Sequence, residues 1–132
     1  RDGRLFWIEA RPEEGGRCVP MCRERDGSVR EIGAADLNVR TRVHEYGGLA
    51  YAATGHALVA SRWADQALVA VPLDAGAPAA GAGALPALTP PGMRYADGGV
   101  DGTVLYAVRE DHTQAGEPAN RSRAGAPRPR RA

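Results

Sequence analysis

Three glycine turns, each leading straight into a short apolar strand, predict an all-β fold. They are Asp2-Gly3 before Leu5 to Ile8, Thr54-Gly55 before Ala57 to Ala60, and Asp101-Gly102 before Val104 to Ala107. Their recurrence at about fifty residues matches units of about four strands, the period of propeller blades. No convincing helical periodicity interrupts this pattern. The expected architecture is an incomplete β-propeller of about two and a half blades of short antiparallel strands. The blades are placed at about 1–47, 48–92 and 93–120, the last incomplete.

The elements follow in order. After the first strand comes a polar turn, Arg11-Pro12-Glu13-Glu14-Gly15-Gly16, and a second strand from Arg17 to Arg23. Pro20 interrupts that strand; lacking an N–H, it predicts an edge or a bulge. Asp26-Gly27 is a hairpin signal leading to a short strand, Ser28 to Ile32. The second repeat turns at Trp63-Ala64-Asp65-Gln66 and re-enters strand at Ala67 to Val71. Residues 74–87, rich in Ala, Gly and Pro, read as a loop or linker. Gly48 to Ala53 and Arg94 to Val100 precede the second and third repeats as the innermost strands of their blades. The third repeat fails midway, and residues 121–132 are expected to be a disordered Arg/Pro/Ala tail produced by a frameshift or truncation.

Composition excludes several functions. The chain opens at Arg1 rather than Met, so a missing beginning is expected. Its apolar stretches fall far short of the roughly 20 residues that cross a bilayer, and no membrane role is expected. All 17 basic residues are arginine, a coding bias of a GC-rich genome rather than a chemical requirement. The body is mildly acidic and the tail basic. A basic tail without aromatic residues is a poor nucleic-acid signal, and no nucleic-acid partner is expected. Cys18 and Cys22 lie four apart on one strand, roughly 13 Å between α-carbons, too far for a disulfide. Free thiols fit a reducing cytoplasm. No metal site or cofactor is expected, because the ligands for one are too few.

Two runs carry a family resemblance. Trp7-Ile8-Glu9-Ala10-Arg11-Pro12-Glu13-Glu14-Gly15-Gly16-Arg17 and Val39-Arg40-Thr41-Arg42-Val43-His44-Glu45-Tyr46-Gly47-Gly48 closely resemble the propeller of bacterial dipeptidyl aminopeptidases and acylaminoacyl-peptidases of the prolyl oligopeptidase family. Shorter echoes follow in order at Trp63-Ala64-Asp65-Gln66, Leu88-Thr89-Pro90, Arg94 to Gly98 and Val108 to His112. The resemblance implies a two-part serine peptidase. Its N-terminal propeller restricts access to short peptides, and a C-terminal α/β-hydrolase domain holds a Ser-Asp-His triad, its serine on a G-x-S-x-G elbow. The serines here are Ser28, Ser61 and Ser122, and none lies in G-x-S-x-G, so no catalytic residue is assigned and the chain alone is expected to be inactive. The missing hydrolase domain is the expected partner. The alternative is a non-enzymatic propeller that serves as a binding scaffold.

Arg40, Arg42, His44 and Glu45 form the candidate substrate-binding cluster. In an extended segment Arg40, Arg42, His44 and Tyr46 share one face, and Val39, Val43 and Glu45 take the other. An arginine binds a peptide carboxylate bidentately, and a carboxylate holds an amino terminus. The competing structural reading, favoured by burial near a propeller channel, has these charges pair with one another and fix the crossing between blades. His44-Glu45 starts an H-E-x-x-H motif, but Gly48 replaces the second histidine. His56 is expected in solvent, and His112 in a turn-stabilising bond with Asp111. Glu13-Glu14, in a turn rather than a helix, is not expected to grasp a substrate amine. Trp7 and Trp63 are expected to pack between blades rather than act as stacking platforms.

Overall fold

A computed structural model describes residues 2–43, 47–74, 80–114 and 119–122. Among these residues nine strands form three antiparallel meanders: β1 (Leu5–Arg11), β2 (Arg17–Arg23) and β3 (Val29–Glu31); β4 (Tyr51–Ala53), β5 (Ala57–Ser61) and β6 (Leu68–Pro72); β7 (Met93–Asp101), β8 (Val104–Asp111) and β9 (Ala119–Ser122). Two short 3-10 turns, Pro12–Glu14 and Ala82–Ala84, complete the described secondary structure, and there is no α-helix among the described residues. This is the all-β, blade-like architecture that the glycine repeat predicts.

Alternation along each strand sends successive side chains to opposite faces, and the second sheet uses both of its faces to stack. Leu58 and Ala60 of β5, opposite Val71 and Val69 of β6, turn one face of the second sheet onto the first. There they meet Cys22, Ile32, Leu37 and Val39, with Phe6 and Ile8 packed alongside. Each fully buried Val, Leu or Ile contributes about 1.5–3 kcal/mol relative to an exposed one. The other face of the second sheet, with Ala52, Val59, Ser61 and Leu68, meets Ala96, Gly98, Leu105 and Ala107 of the third across a narrow apolar crevice. Small residues bring β4 and β7 close: a Cβ added to Gly98 would lie 3.2 Å from the Ala52 Cβ.

Three expectations need correction. Pro20 lies in the central strand of the first sheet, opposite Ile8, not at an edge. Its carbonyl accepts the Ile32 N–H at 2.8 Å, and its missing donor falls where β3 has ended at Glu31. Beyond it on the same side, the Cys18 carbonyl accepts the Val39 N–H at 2.9 Å, so the proline occupies a gap in the ladder. The Ala/Gly/Pro run is also not wholly a loop, although residues 75–79 lie outside the described residues. Ala82 is buried in the main core, Ala87 bridges Val69, and Leu88 donates to the Leu68 carbonyl. Finally, β9 carries the ladder through Arg121 and Ser122, two residues into the segment expected to be tail. Its partners Arg109 and Val108 supply backbone groups that pair regardless of side-chain polarity.

Candidate functional site

The segment from Asn38 to Val43 crosses from the first sheet to the second, and hydrogen bonds to the end of β5 set its register. Trp63 donates its N–H to the Asn38 carbonyl at 2.9 Å, and Arg40 donates to the Ser61 carbonyl at 3.2 Å, with Val39 bridging Arg62 between them. An extended backbone held this way must alternate, and it does: Val39, Thr41 and Val43 are buried, whereas Arg40 and Arg42 are exposed.

The buried side is tied to the third sheet. The Thr41 hydroxyl donates to the Tyr95 carbonyl at 2.7 Å, and the Ser61 hydroxyl donates to the same oxygen at 2.8 Å. The exposed side builds a different object. The Arg40 guanidinium carbon lies 4.8 Å from the centroid of the Trp63 ring, and that of Arg42 lies 4.2 Å from it. Two cations share one indole, the aromatic face that attracts them most strongly. Gln66 braces the group: its side-chain oxygen accepts the Arg42 N–H at 2.8 Å and its amide donates to the Trp63 carbonyl at 3.1 Å. Gln66 is buried and holds φ at 60°, a left-handed conformation that closes the turn after Trp63.

Trp63 is therefore a stacking platform for arginine, contrary to its expected role, because the bridge at Val39 and Arg62 sets it beside the exposed face of the crossing segment. Arg40 and Arg42 come together on an aromatic ring, as that shared face allows, and the partners expected to pair with them fall on His44 and Glu45. His44 and Glu45 lie outside the described residues, as does Tyr46. Next to the indole, Asp36, Asn38, Arg62 and Asp65 line a cleft. Its charges are committed: Arg62 pairs with Asp65 at 2.7 Å, and Asp36 accepts the Ala82 N–H at 2.8 Å. The Arg62 guanidinium holds the Asp65 carboxyl below its ordinary value.

Two crystal structures of puromycin hydrolase, one of them a serine-to-alanine mutant complexed with PGG, superpose on this fold with TM-scores of 0.69 and 0.71. Each is 32% identical to this chain over 84% of its length. The chain matches a segment of a prolyl oligopeptidase family peptidase. It spans 18% of the puromycin hydrolase chain. No family model and no curated protein matches it.

The remaining candidates are engaged in the scaffold. Glu14 is held by Arg17 and Arg11, which also engage Glu31 and Glu9, and the Arg17 contact lowers its pKa. His112 lies 3.1 Å from Glu110, not against Asp111. Strand alternation explains this: positions 110 and 112 share a face, while the Asp111 carboxylate accepts from the Thr113 N–H and hydroxyl. Cys18 and Cys22 are both free thiols, and burial pushes the Cys22 thiol pKa up. Among the described residues no group of His, Cys, Asp and Glu is placed to hold a metal ion. No helix among them is long and apolar enough to cross a membrane.

Proposed function

We propose that this chain forms part of the substrate-gating propeller of a serine peptidase of the prolyl oligopeptidase family. The supporting observation is the match of its stacked three-stranded sheets to puromycin hydrolase at 32% identity. On this reading, hydrolysis belongs to a Ser-Asp-His α/β-hydrolase domain beyond these residues. There a serine attacks the acyl carbon, histidine takes its proton, and backbone N–H groups receive the oxyanion. Short peptides are the substrates, because a ring of blades admits a short segment and holds a long chain, folded or unfolded, outside. The setting is cytoplasmic, a proposal that the two free thiols support.

A chimera tests the gating role. The matching segment of puromycin hydrolase is replaced with residues 1–120 of this chain, and hydrolysis is followed on a dipeptidyl chromogenic amide and on an unfolded polypeptide. Retained cleavage of the amide with the polypeptide left intact is the expected result. Equal cleavage of both would remove the gating role, and a folded chimera with neither activity would remove the family placement of the segment.

A further inference from the structure

We infer that Arg40, Arg42 and Trp63 form a binding site for a carboxylate group on a peptide. The inference rests on the peptidase reading for its ligand class and on the geometry for its location.

Several arginines of the chain are committed to oxygen partners. The guanidinium of Arg4 donates to the Gly55 carbonyl, Arg11 and Arg17 are tied to glutamates, Arg30 to Glu24, and Arg62 to Asp65. Arg40 and Arg42 do otherwise. Among the described residues their guanidinium nitrogens meet no oxygen, and the side chains are held by the Trp63 ring alone. A guanidinium carries five N–H donors in a fixed plane, so each retains its hydrogen-bonding capacity while its ring contact limits its rotamers. Both residues are exposed, and a ligand can reach them.

Electrostatics gives the site its sign. Two like charges on one indole repel each other, and the ring quadrupole offsets only part of that repulsion. An anion placed between them relieves the remainder. A carboxylate suits the planar forks, since each guanidinium can give it two parallel N–H···O bonds. Among the described residues, the neighbouring carboxylates of Asp36 and Asp65 are already bonded to Ala82 and Arg62. The Gln66 brace to Arg42 and Trp63 keeps the site in place before a ligand arrives.

The test uses the full chain with Trp7→Phe, which leaves Trp63 as the sole indole of two. Its fluorescence is titrated with three acetylated tripeptides: one ending in a free carboxylate, one C-terminally amidated with a central glutamate, and one amidated without any carboxylate. Inorganic phosphate is the fourth probe. Tighter binding of a carboxylate peptide than of the uncharged one, by about tenfold or more, is expected from charge-assisted bonds. Which carboxylate peptide binds tighter tells a chain terminus from an acidic side chain. Arg40→Gln and Arg42→Gln each abolish the preference, while Arg40→Lys keeps the charge and loses most of it, for want of the fork. Because both positions are exposed, circular dichroism of the variants should be unchanged. Equal binding of all three peptides, binding of phosphate alone, or a preference surviving both glutamine substitutions would each overturn the assignment. Failure of the chimera with the carboxylate preference intact would remove the peptidase reading and leave the anion site standing.

Discussion

Asp97 and Leu49 hold each other twice. The Asp97 N–H donates to the Leu49 carbonyl at 2.8 Å, and the Asp97 carboxylate accepts the Leu49 N–H at 2.8 Å. Asp97 lies in the register shift between Ala96 and Gly99 with φ at 54°, so a bulge in β7 delivers a carboxylate to the strand leading into β4. The junction of the second and third sheets is therefore a polar clasp around small residues. Asp97→Ala loses the carboxylate bond and keeps the strained backbone, and should cost about 1.5–3 kcal/mol, the value of a bond to a charged group. Asp97→Asn retains an acceptor and should cost less. Urea unfolding followed by tryptophan fluorescence compares the two, and equal losses would refute the clasp.

Gly48 has no room for a side chain. A Cβ there would lie 2.6 Å from an Asp97 carboxylate oxygen and 2.9 Å from the Ala96 Cβ. Gly48→Ala is expected to destabilise by about 1–3 kcal/mol, the usual cost of overpacking. Combining it with Asp97→Ala removes the nearest obstacle, so the double variant should lose less than the two single losses together. Additive denaturant midpoints would show that the two residues do not meet.

Thr41 and Ser61 share the Tyr95 carbonyl, and either hydroxyl alone satisfies it. Thr41→Val and Ser61→Ala should each cost about 0.5–1.5 kcal/mol. The double variant strands a buried carbonyl and should lose more than both together. A double-mutant cycle measured by denaturant unfolding reads the coupling, and strict additivity would contradict the shared acceptor.

Acid should weaken the fold through four carboxylates. Glu14 is depressed by Arg17, Glu24 by Arg30, Asp26 by Ser28 and Asp65 by Arg62. A carboxyl with a lowered folded pKa binds its proton more readily when unfolded, so its stabilisation is present above the unfolded value and lost as pH falls through the folded one. The loss should begin near the ordinary glutamate value of 4.5 and grow below it. Thermal melts from pH 7 to pH 3 check this, and replacing Arg17 with Gln should flatten the Glu14 share. A melting temperature constant across that range would oppose it.

The repeat was legible because turns and strand alternation are local. Asp26-Gly27 closes its hairpin with the Gly27 N–H donating to the Glu24 carbonyl, and β2 begins and ends where its pattern does. Aligning the three glycines still misleads by one position. Leu58 and Leu105 both face the preceding sheet, but Phe6, their glycine-aligned counterpart, faces the following one. Since β-strand side chains alternate, Trp7 is the residue whose direction matches theirs. The stack on Trp63 was hidden for another reason. Alternation put Arg40 and Arg42 on one face, but only the bridge between Val39 and Arg62 brings an aromatic ring to that face, and nothing in a linear spacing of more than twenty residues announces it. Ala82 was missed because a low-complexity composition conceals a single residue that docks.

Among the described side chains, the main aliphatic cluster unites the first two sheets and takes none from β7 or β8. Cohesion is thus unevenly distributed: one pair of sheets is fused by oil, and the third is buttoned on by hydroxyls, a carboxylate and a thin crevice. Where such a segment forms part of a ring, the seam at β4 and β7 is the one whose strands meet through small residues and shared polar groups rather than through a broad aliphatic cluster.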